Sequence, residues 1–401
     1  MRILYVVADP GITPRARGGG FQTHVRETIE NLEALGHQVS ILDSGKVEFD
    51  ARGAPRGGSS YGWKERLPKS LRFMGRDALY ILHNRRFLHR LRAFAAEHGP
   101  FDVVYERYHA FEYAPGRWAR STGLPWVLEF NASVDELKLL GGLGLGRIGR
   151  SIERGVVRSA NHVVAVSGVL QGQLLACGVQ PARVHVLHNG VDTDRFRPDI
   201  SGAEIRARMN LEGKVVVGFV GSFAAYHGVD LFLQAAAEVA QQHSEVVFLL
   251  VGGRKGNLRY EELRAETERT VRPGAILFAG EVPHGEIPGW IAAMDATVIP
   301  MAADYGSPTK TFEYMAMGRA IVAPAVPALR EVLEDGRTAL LTEPGSAASL
   351  AAALARVATD PALRGRLGAA AREQVVARHT WAGNARFLQD LLEKARAEGP
   401  L

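Results

Sequence analysis

The stretch Ser307-Pro308-Thr309-Lys310-Thr311-Phe312-Glu313-Tyr314-Met315-Ala316-Met317-Gly318 gathers the groups in this sequence best suited to seat an anion. Ser307 reads as a helix N-cap, Pro308 as the first helical residue and Gly318 as the stop, so a short helix should begin just below a strand end. Lys310 falls in the first turn, where a cation opposes the helix macrodipole by roughly 0.3–1 kcal/mol. A bound phosphate reverses that penalty. Lys310 and Glu313 are three residues apart and share a face, so one can hold phosphate while the other accepts sugar hydroxyls. The same spacing also suits a plain surface ion pair.

A second anion seat is legible in Gly18-Gly19-Gly20-Phe21-Gln22-Thr23-His24, which runs into a helix with Phe21, Val25, Ile29, Leu32 and Leu35 on one face and Gly36 at its end. Glycines let the backbone approach a ligand, and a helix N-terminus offers free N–H groups. A dinucleotide fingerprint needs its glycines directly after the strand, whereas about ten residues intervene here, which argues against NAD. Further along, Tyr105-Glu106-Arg107-Tyr108-His109 and Glu129-Phe130-Asn131 follow successive apolar runs. Arg107 could bind a phosphate bidentately, and Glu129 or His109 could orient or deprotonate a hydroxyl; a buried polar network stapling loops is the competing reading.

Asp192-Thr193-Asp194 looks like a metal-chelating acidic triplet, but it follows a turn, away from the Lys310 segment, with no supporting carboxylate cluster. His185 and His188 straddle a strand without evident ligand partners, so zinc is not expected.

These side chains need a scaffold, and the sequence supplies one. Runs at 2–7, 37–43, 101–106, 125–130, 162–167 and 184–188 read as strands of a first sheet, and runs at 215–221, 246–253, 275–280, 296–301, 320–324 and 339–342 as strands of a second, each alternating with helical segments. Continuous apolar strands must be covered on both faces, so each series forms its own doubly wound α/β domain, and two such domains facing one another leave a cleft. The join is expected after Asn189-Gly190-Val191-Asp192, within 195–212. Residues 51–60 and 141–149 read as mobile loops, and 347–397 as Ala- and Arg-rich helix packing back over the junction.

With 401 residues, 46% hydrophobic and 23% charged, the chain is neither disordered nor short of core. One cysteine, Cys177, excludes a disulfide framework, and no apolar run reaches eighteen residues. The expected compartment is the cytoplasm. The net charge of +5 is concentrated between Trp63 and Arg92, where Lys64, Arg66, Lys69, Arg72, Arg76, Arg85, Arg86, Arg90 and Arg92 face only Glu65 and Asp77. With Leu71, Phe73, Leu79, Leu82 and Phe87 interleaved, this segment reads as a basic amphipathic helix pair, able to lie on anionic lipid at the inner membrane face or simply to form a solvated face. No nucleic-acid-binding module is recognisable.

RILYVV (2–7) with GGFQTH (19–24), HVVAVS (162–167), HNGVD (188–192) followed by Phe196, GFVGSF (218–223) with His227-Gly228-Val229-Asp230, LLVGG (249–253), FAGEVPH (278–284) and SPTKTFEYMAMG (307–318) followed by AIVAP (320–324) occur in this order over nearly the whole chain. Together they resemble the family 4 retaining glycosyltransferases of the GT-B fold. The resemblance implies two Rossmann-like domains, an acceptor-side domain at 1–192 and a nucleotide-sugar-binding domain at 193–378, with a C-terminal helix at 379–401 packing back on the first. It implies a nucleotide-sugar donor, UDP- or GDP-linked, held by Gly19, Gly20, Ser222, His227, Arg254, Lys255, Val282, Tyr305, Gly306, Ser307, Pro308, Thr309, Lys310 and Glu313. A small-molecule or lipid-linked acceptor falls to His24, Arg107, His109, Glu129 and Asn131, with Lys310, Glu313, His109 and Glu129 as the catalytic group and no metal or cofactor.

Glu313 matches the second glutamate of the family's paired-glutamate motif, which binds the donor ribose; the first is replaced by Tyr305, and this sequence resembles the branch with a Ser-Pro-x-Lys turn. The family's Arg and Lys on the first loop of the second domain correspond to Ser222 and His227, which leaves pyrophosphate neutralisation to Lys310, aided by Arg254 and Lys255. Positive potential at two helix N-termini would stabilise the departing diphosphate, which itself takes the acceptor proton and gives retention. A sugar-nucleotide epimerase and a non-catalytic nucleotide-sugar-binding protein are the alternatives.

Overall fold

The computed structural model describes residues 1–9, 12, 19–45, 68–138 and 142–401. Gly18, the loop at 51–60, Trp63, Lys64, Arg66 and Gly141 therefore lie outside the described residues. The chain divides into two compact units, one of Met1–Ala16, Phe21–His188 and Asn384–Leu401, the other of Arg17–Gly20 and Asn189–Gly383. The changeover at His188/Asn189 sits at the start of the Asn-Gly turn.

The first unit holds β1 (Arg2–Val7), β2 (Gln38–Asp43), β3 (Val103–Arg107), β4 (Trp126–Phe130), β5 (His162–Ala165) and β6 (Val184–Val186) in a six-stranded sheet of order β2-β1-β3-β4-β5-β6. The second holds β7 (Val215–Val220), β8 (Val246–Val251), β9 (Ile276–Gly280), β10 (Ala296–Val298), β11 (Ala320–Pro324) and β12 (Leu340–Thr342) in order β12-β11-β10-β7-β8-β9. Every pairing between these strands is parallel. All twelve apolar runs form strands, and several stop one to three residues early because the last residues of the run turn out of the ladder. Ser167 turns to cap the next helix, its Oγ accepting from Leu170 N–H, and Gly221, Gly252 and Gly253 adopt positive φ.

Two sequence expectations are corrected here. The basic segment is one 30-residue helix, Lys69–His98, rather than a pair. Phe73, Tyr80, Phe87 and Leu91 recur at a spacing that keeps them on one buried stripe, so nothing interrupts the helix. Its Arg76 belongs to no charged face: it is buried against Asp77, with an N–H···O distance of 2.9 Å from Nε, and also donates to Gly142 O. Second, 142–149 is anchored. Asp77 Oδ2 accepts from the N–H groups of Gly144 and Leu145 at 2.8 and 2.9 Å, and a helix begins at Gly146. The helix expected over 347–397 is present as three helices, Ala347–Thr359, Pro361–Arg378 and Trp381–Glu398, because Asp360 caps the second through Leu363 N–H and Pro361 occupies its first position.

The last helix begins in the second unit and packs on the first, where Ala385, Leu388, Leu391, Leu392 and Ala395 join Ile3, Tyr5, Val25, Ile29, Tyr105 and Val127 in one core. The i, i+3, i+4 spacing of those five residues puts them on a single stripe, and each buried leucine contributes about 1.5–3 kcal/mol.

Candidate functional site

In the second unit the chain winds from β7 through β8 to β9 on one side and from β10 through β11 to β12 on the other. The winding reverses between β7 and β10, and in open parallel sheets the crevice beyond the carboxyl ends at such a point is the ligand position. Both loops that leave these two strands carry candidate residues.

The helix Thr309–Ala316 presents Lys310 to the end of β7. Its docking is fixed by Phe312, Tyr314 and Met315, all fully buried, and by Val220 N–H, which donates to Tyr314 Oη at 2.8 Å. Lys310 Nζ consequently stands 4.4 Å from the centre of the Phe219 ring and 3.4 Å from His227 Nδ1. A Cβ on Gly221 would lie 2.6 Å from Nζ, so that position admits no side chain while the ammonium is there. Gly228, with φ of 66°, turns the loop so that His227 faces the lysine.

Burial lowers the Lys310 ammonium to about 7, against the raising effect of Glu313 one turn away. Burial and then the Lys310 charge lower His227 to about 3. At neutral pH the imidazole is uncharged, and Lys310 donates to Nδ1 in the tautomer that carries its proton on Nε2. The arrangement is a half-charged cation over bare backbone at a helix N-terminus, and an anion placed there would restore the full charge.

Ser307 does not cap this helix as the sequence suggested. Its Oγ accepts from Asn189 N–H at 3.1 Å and its carbonyl accepts from Asn189 Nδ2, while Pro308 occupies the cap position and the helix starts at Thr309. The turn at Asn189-Gly190 thus competes successfully for the hydroxyl. Gly20 is positioned so that a Cβ would meet Thr309 Oγ1 at 2.7 Å, and Gly19 beside it is exposed. Glu313 is buried in the same helix. Tyr305, Gly306 and Val282 are half-buried, and Ser222, Arg254 and Lys255 lie exposed on loops after β7 and β8. Asp192 Oδ1 accepts from Asp194 N–H and Arg195 N–H, both at 3.0 Å, so the acidic triplet closes its own turn.

In the first unit the reversal lies between β1 and β3. Period two places Tyr105 and Arg107 on one face of β3, and the parallel register sets Arg107 beside Glu129 of β4. Glu129 is the hub. Its Oε1 is ion-paired with Arg107, accepts from Asn131 Nδ2 at 2.6 Å and lies 2.9 Å from His24 Nε2, while Oε2 accepts from Tyr105 Oη at 2.6 Å. His24 reaches it from the first turns of the helix Gly20–Ala34.

Burial alone would raise the Glu129 carboxyl, but the closeness of His24, the charge of Arg107 and the hydrogen bond from Tyr105 hold it far below the usual carboxylate range. The suggestion that Glu129 deprotonates a hydroxyl is corrected on this ground: a carboxylate so stabilised is a poor proton acceptor, and its remaining use is to orient Arg107, His24 and Asn131. His109 stands apart from this cluster, edge-on to Tyr80 with ring centres 5.3 Å apart and Nδ1 3.2 Å from Ala110 O. His185 is also less isolated than its sequence context indicated, because Nε2 lies 3.2 Å from His162 Nδ1, and His162 Nε2 lies 3.0 Å from Glu398 Oε2. Among the described residues no three His, Cys, Asp or Glu side chains are grouped to hold a metal ion.

Sequence reasoning missed Tyr105, Phe219 and Tyr314. Tyr105 shares the period-two face of Arg107 and could have been given its role that way; Phe219 and Tyr314 carry no local signal that tells a site neighbour from a core residue.

Both units have counterparts among known proteins. Residues 18–195 match Glycosyltransferase Family 4 and residues 214–360 match Glycosyl transferases group 1. A D-inositol 3-phosphate glycosyltransferase of Nocardioides sp. is 33% identical over 331 residues, 77% of this chain and 70% of that protein. Among solved structures, sucrose-phosphate synthase from Thermosynechococcus elongatus aligns with a TM-score of 0.75 at 21% identity over 99% of this chain and 100% of the other. Anabaena HepE, solved in complex with UDP, aligns with a TM-score of 0.73 at 16% identity over 98% and 100%. With the family matches falling in both units and a relative 33% identical over 77% of this chain and 70% of its own length, the chain is a glycosyltransferase belonging to family 4.

Proposed function

We propose that this glycosyltransferase moves a hexose-type sugar from a nucleoside-diphosphate sugar to a hydroxyl acceptor with retention of configuration and without a metal. The observation that carries this reading is Lys310, held by its helix over the bare backbone of Gly221 at the strand-order reversal, with a neutral His227 at 3.4 Å. The diphosphate sits on that seat. Leaving-group departure builds negative charge on the β-phosphate, and the preorganised ammonium with the N–H groups of the helix Thr309–Ala316 stabilises it more than the ground state. Glu313 takes the ribose hydroxyls. The departing phosphate oxygen accepts the acceptor proton on the face it leaves, so the new bond forms on the same face.

UDP is favoured by the like-folded HepE, solved with UDP, and a GDP sugar is the other candidate. The acceptor, a small molecule or a lipid-linked one, is taken by Arg107, His24 and Asn131 oriented by Glu129, with His109 beyond them; the similarity to D-inositol 3-phosphate glycosyltransferases favours a phosphorylated polyol. Incubation with UDP-glucose, UDP-N-acetylglucosamine and GDP-mannose, with and without D-inositol 3-phosphate and with EDTA throughout, tests the reading by product mass and NMR. An inverted anomer, an absolute requirement for a divalent ion, or turnover of donor to an epimer without acceptor would each refute the corresponding part; a chain that binds donors and turns over none is a binding protein.

No helix of the described residues is long and apolar enough to cross a membrane. The helix Lys69–His98 leaves Leu71, Met74, Leu79 and Leu82 exposed, followed on the same side by Arg85, Arg86 and Arg90, a pattern that suits peripheral contact with anionic lipid. Co-sedimentation with phosphatidylglycerol vesicles, lost in Leu79→Ser/Leu82→Ser, tests it.

A further inference from the structure

Two large apolar side chains on the loops that follow β7 and β10 remain in solvent. Tyr226, on the loop after β7, is 51% exposed, and Met301, on the loop after β10, is 40% exposed. Single exposed hydrophobics are ordinary on protein surfaces. The loops of these two leave the two strands between which the sheet reverses direction, and the loops meet where a Cβ on Gly228, two residues after Tyr226, would stand 2.6 Å from Met301 Cβ. The Tyr226 ring is held against His227 with ring centres 4.4 Å apart, and His227 is itself the neighbour of Lys310. The sequence of neighbours from the ammonium is therefore cation, neutral imidazole, aromatic ring, with Met301 against the glycine that follows the imidazole.

That order matches a ligand whose charged end continues into a ring with non-polar faces. A pyranose is such a ring: its hydroxyls lie at the rim and its C–H bonds line the faces, which need an apolar wall rather than a hydrogen-bond partner. Tyr supplies a rigid flat surface with little entropy to lose, and Met adapts to the contour beside it. We propose that Tyr226 and Met301 form the platform under the sugar ring of the donor and set which sugar is accepted. This rests on the nucleotide-sugar reading above and assigns the part of the donor that Lys310 does not hold.

The test separates sugar from nucleotide. Calorimetry of the full chain is run with UDP-glucose, UDP-N-acetylglucosamine and GDP-mannose and, in parallel, with UDP and GDP alone. For whichever sugar nucleotides bind, Tyr226→Ala and Met301→Ala are expected to weaken binding about 3- to 10-fold each, by loss of apolar contact area, while bare UDP or GDP binds within about twofold of the parent. Tyr226→Phe, which keeps the ring, retains parental affinity and shows that the loop still folds. An equal loss for nucleotide and sugar nucleotide overturns the proposal, since the platform would then serve the nucleoside; so does no change for either. If the parent binds no nucleotide at all, the donor reading itself has failed, and the platform with it.

Discussion

Raising the pH from 7 to 9 should release the diphosphate by discharging Lys310. In the free protein burial lowers this ammonium to about 7, so half of the molecules carry the charge at pH 7 and about one in a hundred at pH 9. Phosphate oxygens beside Nζ return the group to or above its ordinary range, which means that binding above pH 7 must first take up a proton. The apparent affinity for UDP then falls about 50-fold between pH 7 and 9, or about 2.3 kcal/mol, approaching tenfold per pH unit at the upper end. The nucleotide does not supply this slope, because a terminal phosphate with a second pKa near 6 is already ionised. Neither does His227, lowered to about 3 and neutral throughout. Calorimetry in buffers of different ionisation heat reads the proton directly: uptake rises from about half a proton at pH 7 toward one at pH 9. Lys310→Arg keeps its charge and binds with little pH dependence, and Lys310→Ala binds weakly at every pH. An affinity for UDP that stays flat from pH 7 to 9, with no proton taken up by the parent chain, refutes the argument that a discharged lysine holds the phosphate.

Arg107→Ala leaves Glu129 charged and buried, and should destabilise the first unit by about 3–5 kcal/mol in urea unfolding, whereas Arg107→Met combined with Glu129→Leu recovers most of that loss; a single-variant cost under about 1 kcal/mol would count against the hub. Glu153 is raised to about 7 by burial and then by Asp135 and Glu136, although Val134 N–H donates to its Oε2 at 2.6 Å. Because its folded value exceeds the unfolded one, its stabilising effect is complete below about pH 4.5 and is lost as the pH rises through 7. Glu153→Gln should therefore raise the unfolding free energy from urea titration by on the order of 2 kcal/mol at pH 8 and by less than about 1 kcal/mol at pH 5. An equal effect at both pH values would show that the carboxyl is already ionised in the fold.

Much of this was written locally. Continuous apolar runs such as Val246–Val251 can only be interior parallel strands, because both faces must be covered, and so twelve strands and two sheets could be placed from pattern alone. Lys310 was legible for a similar reason: a Pro, a Gly stop and a cation in the first turn are local statements about a helix N-terminus. Where local rules compete with distant partners, the sequence misleads. Ser307 has the side chain of an N-cap, yet its hydroxyl is used by Asn189, more than a hundred residues away. Arg76 counts as surface charge until the fold places it on Asp77 and under Gly142.

The chemistry of the candidate residues was decided at the tertiary level. Sequence specified that Glu129 is a carboxylate near a strand end; only strand register and the helix above it bring Arg107, Tyr105, Asn131 and His24 around it and turn a candidate base into a fixed anion. Likewise the type and position of Lys310 were local facts, while the lowering of its ammonium comes from burial beside Phe219, Gly221 and His227, which reach it from another part of the chain. Periodicity and capping act over a few residues, so sequence alone determines the elements. Burial and charge act through space, and only the assembled sheet determines which groups share a desolvated site and therefore what state of protonation each one holds.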